Sequence, residues 1–179
     1  MVDYHPGLEG VIATESSISD INGEKGILSY RGYSIEELAE KSTFEETAFL
    51  LLTGELPTPD ELTKFTKQIN VRRDLPSEMI DLLKTLPKES NPMDVIQLAV
   101  SSLGTFYPVT FDAEDLKAKK YTNDYYIEVS AGILGSIGSI VAAWNRIKNN
   151  KDYIKPDLNL SYADNFMHML DDSIEVTPL

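Results

Sequence analysis

The chain has 179 residues, 42% of them hydrophobic, and a formal net charge of −13 from 29 Asp plus Glu against 16 Lys plus Arg. That length and apolar fraction suit one domain, or one compact piece of a larger one, with a sizeable core, and they exclude intrinsic disorder. The absence of cysteine excludes disulfides, Cys-ligated zinc and thiol nucleophiles, and the acidic balance argues against a nucleic-acid partner.

Met1 to Gly10 carries Asp3 and Glu9 and no apolar run, so no secretory signal is read and a cytoplasmic location is expected. Ile18 and Ile21 precede Asn22-Gly23, and Ile27, Leu28 and Tyr30 follow. Asn-Gly tolerates the positive φ values of a tight turn, which predicts a short β-hairpin. From Ser34 the punctuation becomes helical. Ser34 before Ile35-Glu36-Glu37 places a hydroxyl and two carboxylates at a helix start, and a short helix through Ala39 follows. Thr43 with Glu46 three residues on reads as a capping box for a helix whose apolar face is Phe44, Thr47, Ala48, Leu51 and Leu52, ended by Gly54. Thr58 caps a helix opening at Pro59, where the missing N–H costs nothing, with Leu62, Phe65 and Ile69 as its buried stripe.

Two further helices, around Ser77 to Leu86 and Pro92 to Phe106, carry Met79, Leu82, Leu83 and Leu86 on one and Ile96, Val100 and Leu103 on the other. The mixed-charge stretch from Tyr107 to Asn123 reads as a connection with a helical piece near Ala113 to Lys119. The uncharged run Val129 to Asn145 approaches the length of a membrane span, about 17 to 25 residues. Its glycine and serine content, closed by Glu128 and Arg146, argues instead for a central buried helix and no membrane partner. Ile133, Ile137, Val141 and Trp144 form one apolar ridge on it, and Gly135, Gly138 and Ala142 form a flat face. Each interior glycine costs about 1 kcal/mol against alanine, so close helix packing must offset them. Ser161 caps a last helix through Leu170, with Tyr162, Phe166, Met169 and Leu170 on one side.

Single residues offer little chemistry. His5 and His168 lie far apart in sequence, with no local pair for a metal, and both read as structural. Arg31 is expected to pair with a helix carboxylate, and Asp171-Asp172 to be a solvated acidic helix end. Arg72-Arg73 and Lys117, Lys119, Lys120, each flanked by carboxylates, read as solvated surface. Gly132, Gly135 and Gly138 lie inside an apolar run with no nearby Lys or preceding strand, unlike a phosphate-cradling loop.

The blocks Tyr30-Arg31-Gly32-Tyr33-Ser34-Ile35-Glu36-Glu37-Leu38-Ala39, Phe44-Glu45-Glu46, Leu50-Leu51-Leu52, Gly54, Leu56-Pro57-Thr58, Pro92-Met93-Asp94 and Leu160-Ser161-Tyr162-Ala163-Asp164-Asn165-Phe166 resemble citrate synthase over nearly the whole chain. The resemblance implies an all-α, multihelical fold: residues 1–33 an N-terminal segment with the hairpin, residues 34–179 the N-terminal portion of the helical large domain. It implies a homodimer that condenses acetyl-CoA with oxaloacetate to citrate and free CoA, with acetyl-CoA as substrate and no cofactor or metal. Related members use propionyl-CoA or cleave citryl-CoA. The family's histidine-rich catalytic segments, its catalytic aspartate and its carboxylate-binding arginines are expected beyond Val176-Thr177-Pro178-Leu179, so no catalytic or substrate-binding residue is assigned here. The resemblance assigns the helices of the ridge and of Pro92 to Phe106 to the dimer interface. Ile96, Val100, Leu103, Ile133, Ile137, Val141 and Trp144 are the interface candidates. The alternative readings are a naturally short, non-catalytic helical dimerisation module, or a fragment of a 2-methylcitrate synthase or citryl-CoA lyase relative.

Overall fold

A computed structural model describes residues 5–8, 10–12, 14–107 and 123–171. Contacts group the chain into two units, Met1–Leu56 and Pro57–Leu179, a different division from the segments 1–33 and 34–179 of the sequence reading.

In the first unit, β1 (Ser19–Asn22), β2 (Ile27–Tyr30) and β3 (Tyr33–Ser34) form an antiparallel sheet in the order β1-β2-β3. The expected hairpin is therefore a three-stranded sheet, and its tightest turn is not Asn-Gly. Asn22 pairs with Ile27, so four residues separate the strands; the left-handed position among them is Gly26, at φ 64°, and the Asn22 side chain accepts from the Lys25 amide at 3.0 Å. The two-residue reversal is Arg31-Gly32, between the paired Tyr30 and Tyr33, with φ of 50° and 89°. Two consecutive positive φ values match the twist of the flanking strands. Gly32 adopts its value freely. Arg31 is held there because its amide donates to the Ile18 carbonyl at 2.9 Å and its guanidinium donates to Ser17 Oγ at 2.8 Å and to the Leu51 carbonyl at 2.9 Å.

Helix α1 (Ile35–Lys41) starts at Ser34, whose Oγ accepts from Glu37 N at 3.1 Å, and runs two residues past Ala39 with Leu38 buried. Helix α2 (Phe44–Thr53) has the complete capping box of Thr43 and Glu46 and ends on Gly54 at φ 100°. Its expected face is wrong in phase: Phe49 and Leu50 are buried, whereas Phe44 and Leu52 are 46% and 39% exposed. The Leu50-Leu51-Leu52 run makes this helix apolar on both sides, so periodicity cannot choose between them.

The second unit is built on one long helix. Helix α3 (Pro59–Val71) opens with the Thr58–Glu61 capping box and Pro59 in its first turn, and buries Phe65 and Ile69 with Leu62 half-buried. Helices α4 (Ser77–Thr85) and α5 (Pro92–Phe106) follow, then α6 (Asn123–Lys148) and α7 (Tyr162–Leu170). Ser161 caps α7, accepting from Asp164 N at 3.1 Å. Helices α3, α4, α5 and α7 all pack on α6. Met79, Leu83, Val95, Ala99, Ile140 and Trp144 belong to the core shared by α4, α5 and α6. On α5 the buried stripe is Val95, Ala99 and Leu103, one residue out of phase with the expected Ile96 and Val100, which are half-buried.

Among the described residues α6 alone is long and apolar enough to cross a membrane, but its flat face is covered by protein. The end of α3 lies so close to Gly135 that a Cβ there would sit 2.2 Å from the Ile69 carbonyl oxygen and 2.9 Å from Arg72 Cβ. The Phe166 ring and the Tyr162 hydroxyl lie over Gly138, each 3.6 Å from where its Cβ would be. The close helix packing demanded by the glycines is thus intramolecular. The helical piece expected near Ala113 to Lys119 lies outside the described residues, as do Lys117, Lys119, Lys120 and Asp172.

Gly135→Ala forces α3 away from α6 and is expected to lower stability by about 1–3 kcal/mol, as overpacking does. Gly132→Ala, whose Cβ meets only Arg72 Cγ at 3.8 Å, should instead gain up to about 1 kcal/mol from helix propensity. Urea unfolding of the two variants beside the parent chain reads both signs.

Candidate functional site

No three His, Asp or Glu side chains converge as metal ligands among the described residues. His5 is exposed, and His168 is half-buried in the last turn of α7. Asp171 faces Lys151 across 3.7 Å in a partly exposed pair. Arg31 does not make the expected ion pair with a helix carboxylate. Its guanidinium reaches the Leu51 carbonyl in the last turn of α2, where a helix presents unsatisfied acceptors and the negative end of its dipole.

The arginine pair at the end of α3 also departs from the solvated surface expected of it. Arg73 is 2% exposed; it donates to the Leu160 carbonyl at 3.2 Å and lies over the Tyr162 ring at 5.2 Å. Arg72 is half-buried, 3.7 Å from the centroid of the Tyr107 ring. A guanidinium is weakly hydrated and stacks on aromatic faces, which permits such burial. No sequence signal in the neighbouring carboxylates could have shown it.

Around this pair the polar groups serve backbone. Ser136 Oγ donates to the Arg72 carbonyl at 3.2 Å and Ser139 Oγ to the Arg73 carbonyl at 2.6 Å, so α6 supplies the hydroxyls that finish the C-terminus of α3. Tyr162 donates to the Leu134 carbonyl at 2.5 Å. The Asn165 side chain, 1% exposed, accepts from Asp157 N at 2.8 Å. The space left among Arg73, Gly135, Ser139 and Tyr162 is about 10 Å³, at the lower limit for one water molecule. This junction is a lock between helices and has no room for a substrate. An open groove of about 560 Å³ runs along α3 between Leu62, Thr66, Asn70, Val71 and Leu158; its charged member is Lys67.

The titratable groups with resolved shifts are structural too. The Thr58 side chain, then its backbone, holds Glu61 below the usual carboxylate range, as the capping box requires. Glu78 is lowered by its own backbone amide and by Ser77. Burial pushes the Tyr153 hydroxyl up to about 12; the charges of Asp74 and Tyr107 add to this, and the Leu75 backbone opposes it.

The seven interface candidates divide in two. Leu103 and Trp144, at 8% and 2% exposed, belong to the core of α4, α5 and α6 and offer no surface to a partner. On α6, Ile133 is 39% exposed and Ile137 and Val141 are half-buried, a stripe on the same helix as the glycine face. Ile96 and Val100 on α5 are half-buried. Spacing alone groups Trp144 with the ridge, whereas its side chain is buried in the core shared with α4 and α5.

Tyr153 packs against that core and stays protonated in the folded chain while the unfolded chain ionises near its ordinary value of 10.0. Stability should therefore fall as pH rises from about 10 to about 12, because the unfolded state binds fewer protons there. Urea midpoints across that window should drop less in Tyr153→Phe than in the parent chain.

The chain matches the family model described as "Citrate synthase, C-terminal domain" over residues 7–178. It is 40% identical over 169 residues to a citrate synthase of Acidithiobacillus ferridurans, covering 94% of this chain and 43% of that protein. It is 37% identical over 164 residues to a 2-methylcitrate synthase of Corynebacterium glutamicum, covering 92% and 41%. Among solved structures it is similar to citrate synthase from the thermophilic archaeon Thermoplasma acidophilum in ternary complex with carboxymethyl coenzyme A and oxaloacetate, with a TM-score of 0.80, 28% identity and coverage of 94% of this chain and 42% of that one. The chain spans less than half the length of each of these proteins.

Proposed function

Since this chain belongs to the citrate synthase family, we propose that it is the scaffold-bearing part of an enzyme that condenses acetyl-CoA with oxaloacetate, giving citrate and free CoA, and that this part alone is inactive. The observation that carries the reading is identity sustained along nearly all of this chain but under half of its relative. The similarity to an enzyme solved with a CoA analogue and oxaloacetate supports the substrate pair.

The chemistry sets a minimum equipment. An α-proton beside a thioester is weakly acidic, so a base must take it while a donor stabilises the enol, and the keto acid must be held by cations. The described residues supply none of this as a cluster: neither histidine sits in a convergent acid–base group, and the serine and tyrosine hydroxyls of the α3–α6–α7 junction are committed to carbonyls. What the chain does supply is a rigid helical unit on which such groups could be held. A second reading, propionyl-CoA as the acyl donor, is favoured by the near-equal identity to the 2-methylcitrate synthase. A cytoplasmic location belongs to the same proposal.

CoA release from acetyl-CoA plus oxaloacetate, followed by thiol titration, should show no turnover by these 179 residues. Robust release, with either acetyl-CoA or propionyl-CoA, would refute the division between scaffold and chemistry.

Pairing with a second copy completes the proposal. It is supported by the Ile133, Ile137 and Val141 stripe, whose half-exposed apolar area gains by leaving water. Sedimentation velocity at rising concentration should show self-association of the parent chain. Ile137→Asp should weaken it by at least an order of magnitude with far-UV circular dichroism unchanged, since a desolvated carboxylate at such a contact costs several kcal/mol.

A further inference from the structure

Asn22-Gly23 is the one Asn-Gly pair in the sequence, and it does not form the tight turn that such a pair ordinarily marks. Both residues are exposed. Asn22 is the last residue of β1, held on its N-terminal side by the ladder to Ile27, while its C-terminal peptide enters the four-residue turn. Nothing lies within 4 Å of where a Cβ would stand on Gly23, and Gly23 is not among the glycines with positive φ. The Lys25 amide donates to Asn22 Oδ1 at 3.0 Å, which draws electron density from Cγ.

We propose that Asn22 is a self-modification site at which the backbone nitrogen of Gly23 displaces the side-chain amide. In this step the Gly23 nitrogen forms a bond to Asn22 Cγ, the Cγ–Nδ2 bond breaks, and ammonia departs with the proton that the backbone nitrogen loses. A five-membered imide remains. Water then adds to one of its two carbonyls and opens the ring. One product is aspartate; the other is isoaspartate, in which the main chain runs through the former side-chain carboxyl. No redox partner is needed, and water is the only co-reactant.

Asparagines elsewhere in the chain lack this combination. Asn70 is followed by the β-branched Val71, and Asn91 by Pro92, which has no N–H. Asn165 is 1% exposed with its side-chain oxygen engaged. Each product adds one negative charge, and isoaspartate inserts an extra backbone atom at the Asn22–Ile27 pair, where the sheet's register is set.

Trypsin tests this cleanly, because the first Lys or Arg in the chain is Lys25 and the peptide 1–25 contains no asparagine besides Asn22. The folded protein is incubated at mildly alkaline pH in ammonia-free buffer, digested, and the peptide resolved by liquid chromatography and mass spectrometry, with enzymatic methylation to mark isoaspartate. The expected result is progressive replacement of the amide peptide by two acid peptides, the isoaspartate form in excess. Gly23→Ala, which adds only a Cβ beside the attacking nitrogen, should slow the loss by roughly an order of magnitude. Persistence of the amide in the folded chain while the urea-unfolded chain converts would overturn the proposal, as would equal rates for parent and Gly23→Ala.

Discussion

The second unit depends on one close approach, that of the last turn of α3 to Gly135 of α6. A hydrogen in place of a side chain lets the Ile69 carbonyl come to a distance that any other residue would forbid. Only at that separation can Ser136 and Ser139 reach the Arg72 and Arg73 carbonyls. The Gly-Ser-Ile-Gly-Ser run therefore encodes two things at once: a flat surface for approach, and the donors that finish the approaching helix. The cost of glycine within a helix is offset by burial and by the satisfied carbonyls. Arg72 and Arg73 leave the helix end in different directions and settle on Tyr107 and Tyr162, so residues far apart in the chain are gathered round one point.

Much of this was legible in the sequence wherever a local rule decides. Ser34, Thr43, Thr58 and Ser161 cap the helices they were expected to cap, and Gly54 ends α2 in the left-handed region, because caps involve only a few neighbouring residues. The flat glycine face of α6 was legible for a similar reason. The phases of α2 and α5 were not, since both helices carry apolar residues around much of their circumference and the tertiary partner selects the buried side. The burial of Arg73 depends on Tyr162, 89 positions along the chain, and no window along the sequence contains both. The two-residue β3 was too short to read, and its turn hid in Arg31-Gly32, where only the hydrogen bonds to Ser17, Ile18 and Leu51 make a left-handed arginine tolerable. For the candidate site, the resemblance named a family that the comparisons bear out. The interface candidates were placed by helical spacing, which cannot distinguish a side chain turned toward its own core, such as Trp144, from one at the surface, such as Ile133.

The distribution of polar groups bears on what such a scaffold would contribute to the proposed reaction. Hydroxyls that cap buried carbonyls are poor nucleophiles and poor proton carriers, because moving them exposes an unsatisfied acceptor. They are good at holding helices in one relative position. Under the proposed condensation a base, an enol stabiliser and carboxylate-binding cations have to be held in register, which requires that kind of rigidity beneath the reacting groups. The α3–α6–α7 junction has it, with little space left to rearrange.

Two buried guanidiniums sit in a chain of net charge −13. Arg73 closes on the Leu160 carbonyl, and Arg146, 7% exposed, donates to the carbonyls of Asp152 and Leu170. Shielded from solvent, these lodgings lie beyond the reach of mobile ions, whereas the repulsion among the surface carboxylates does not. Added salt should therefore relieve the mutual repulsion of the exterior without reaching the cations inside, so the folded state is expected to gain stability as ionic strength rises.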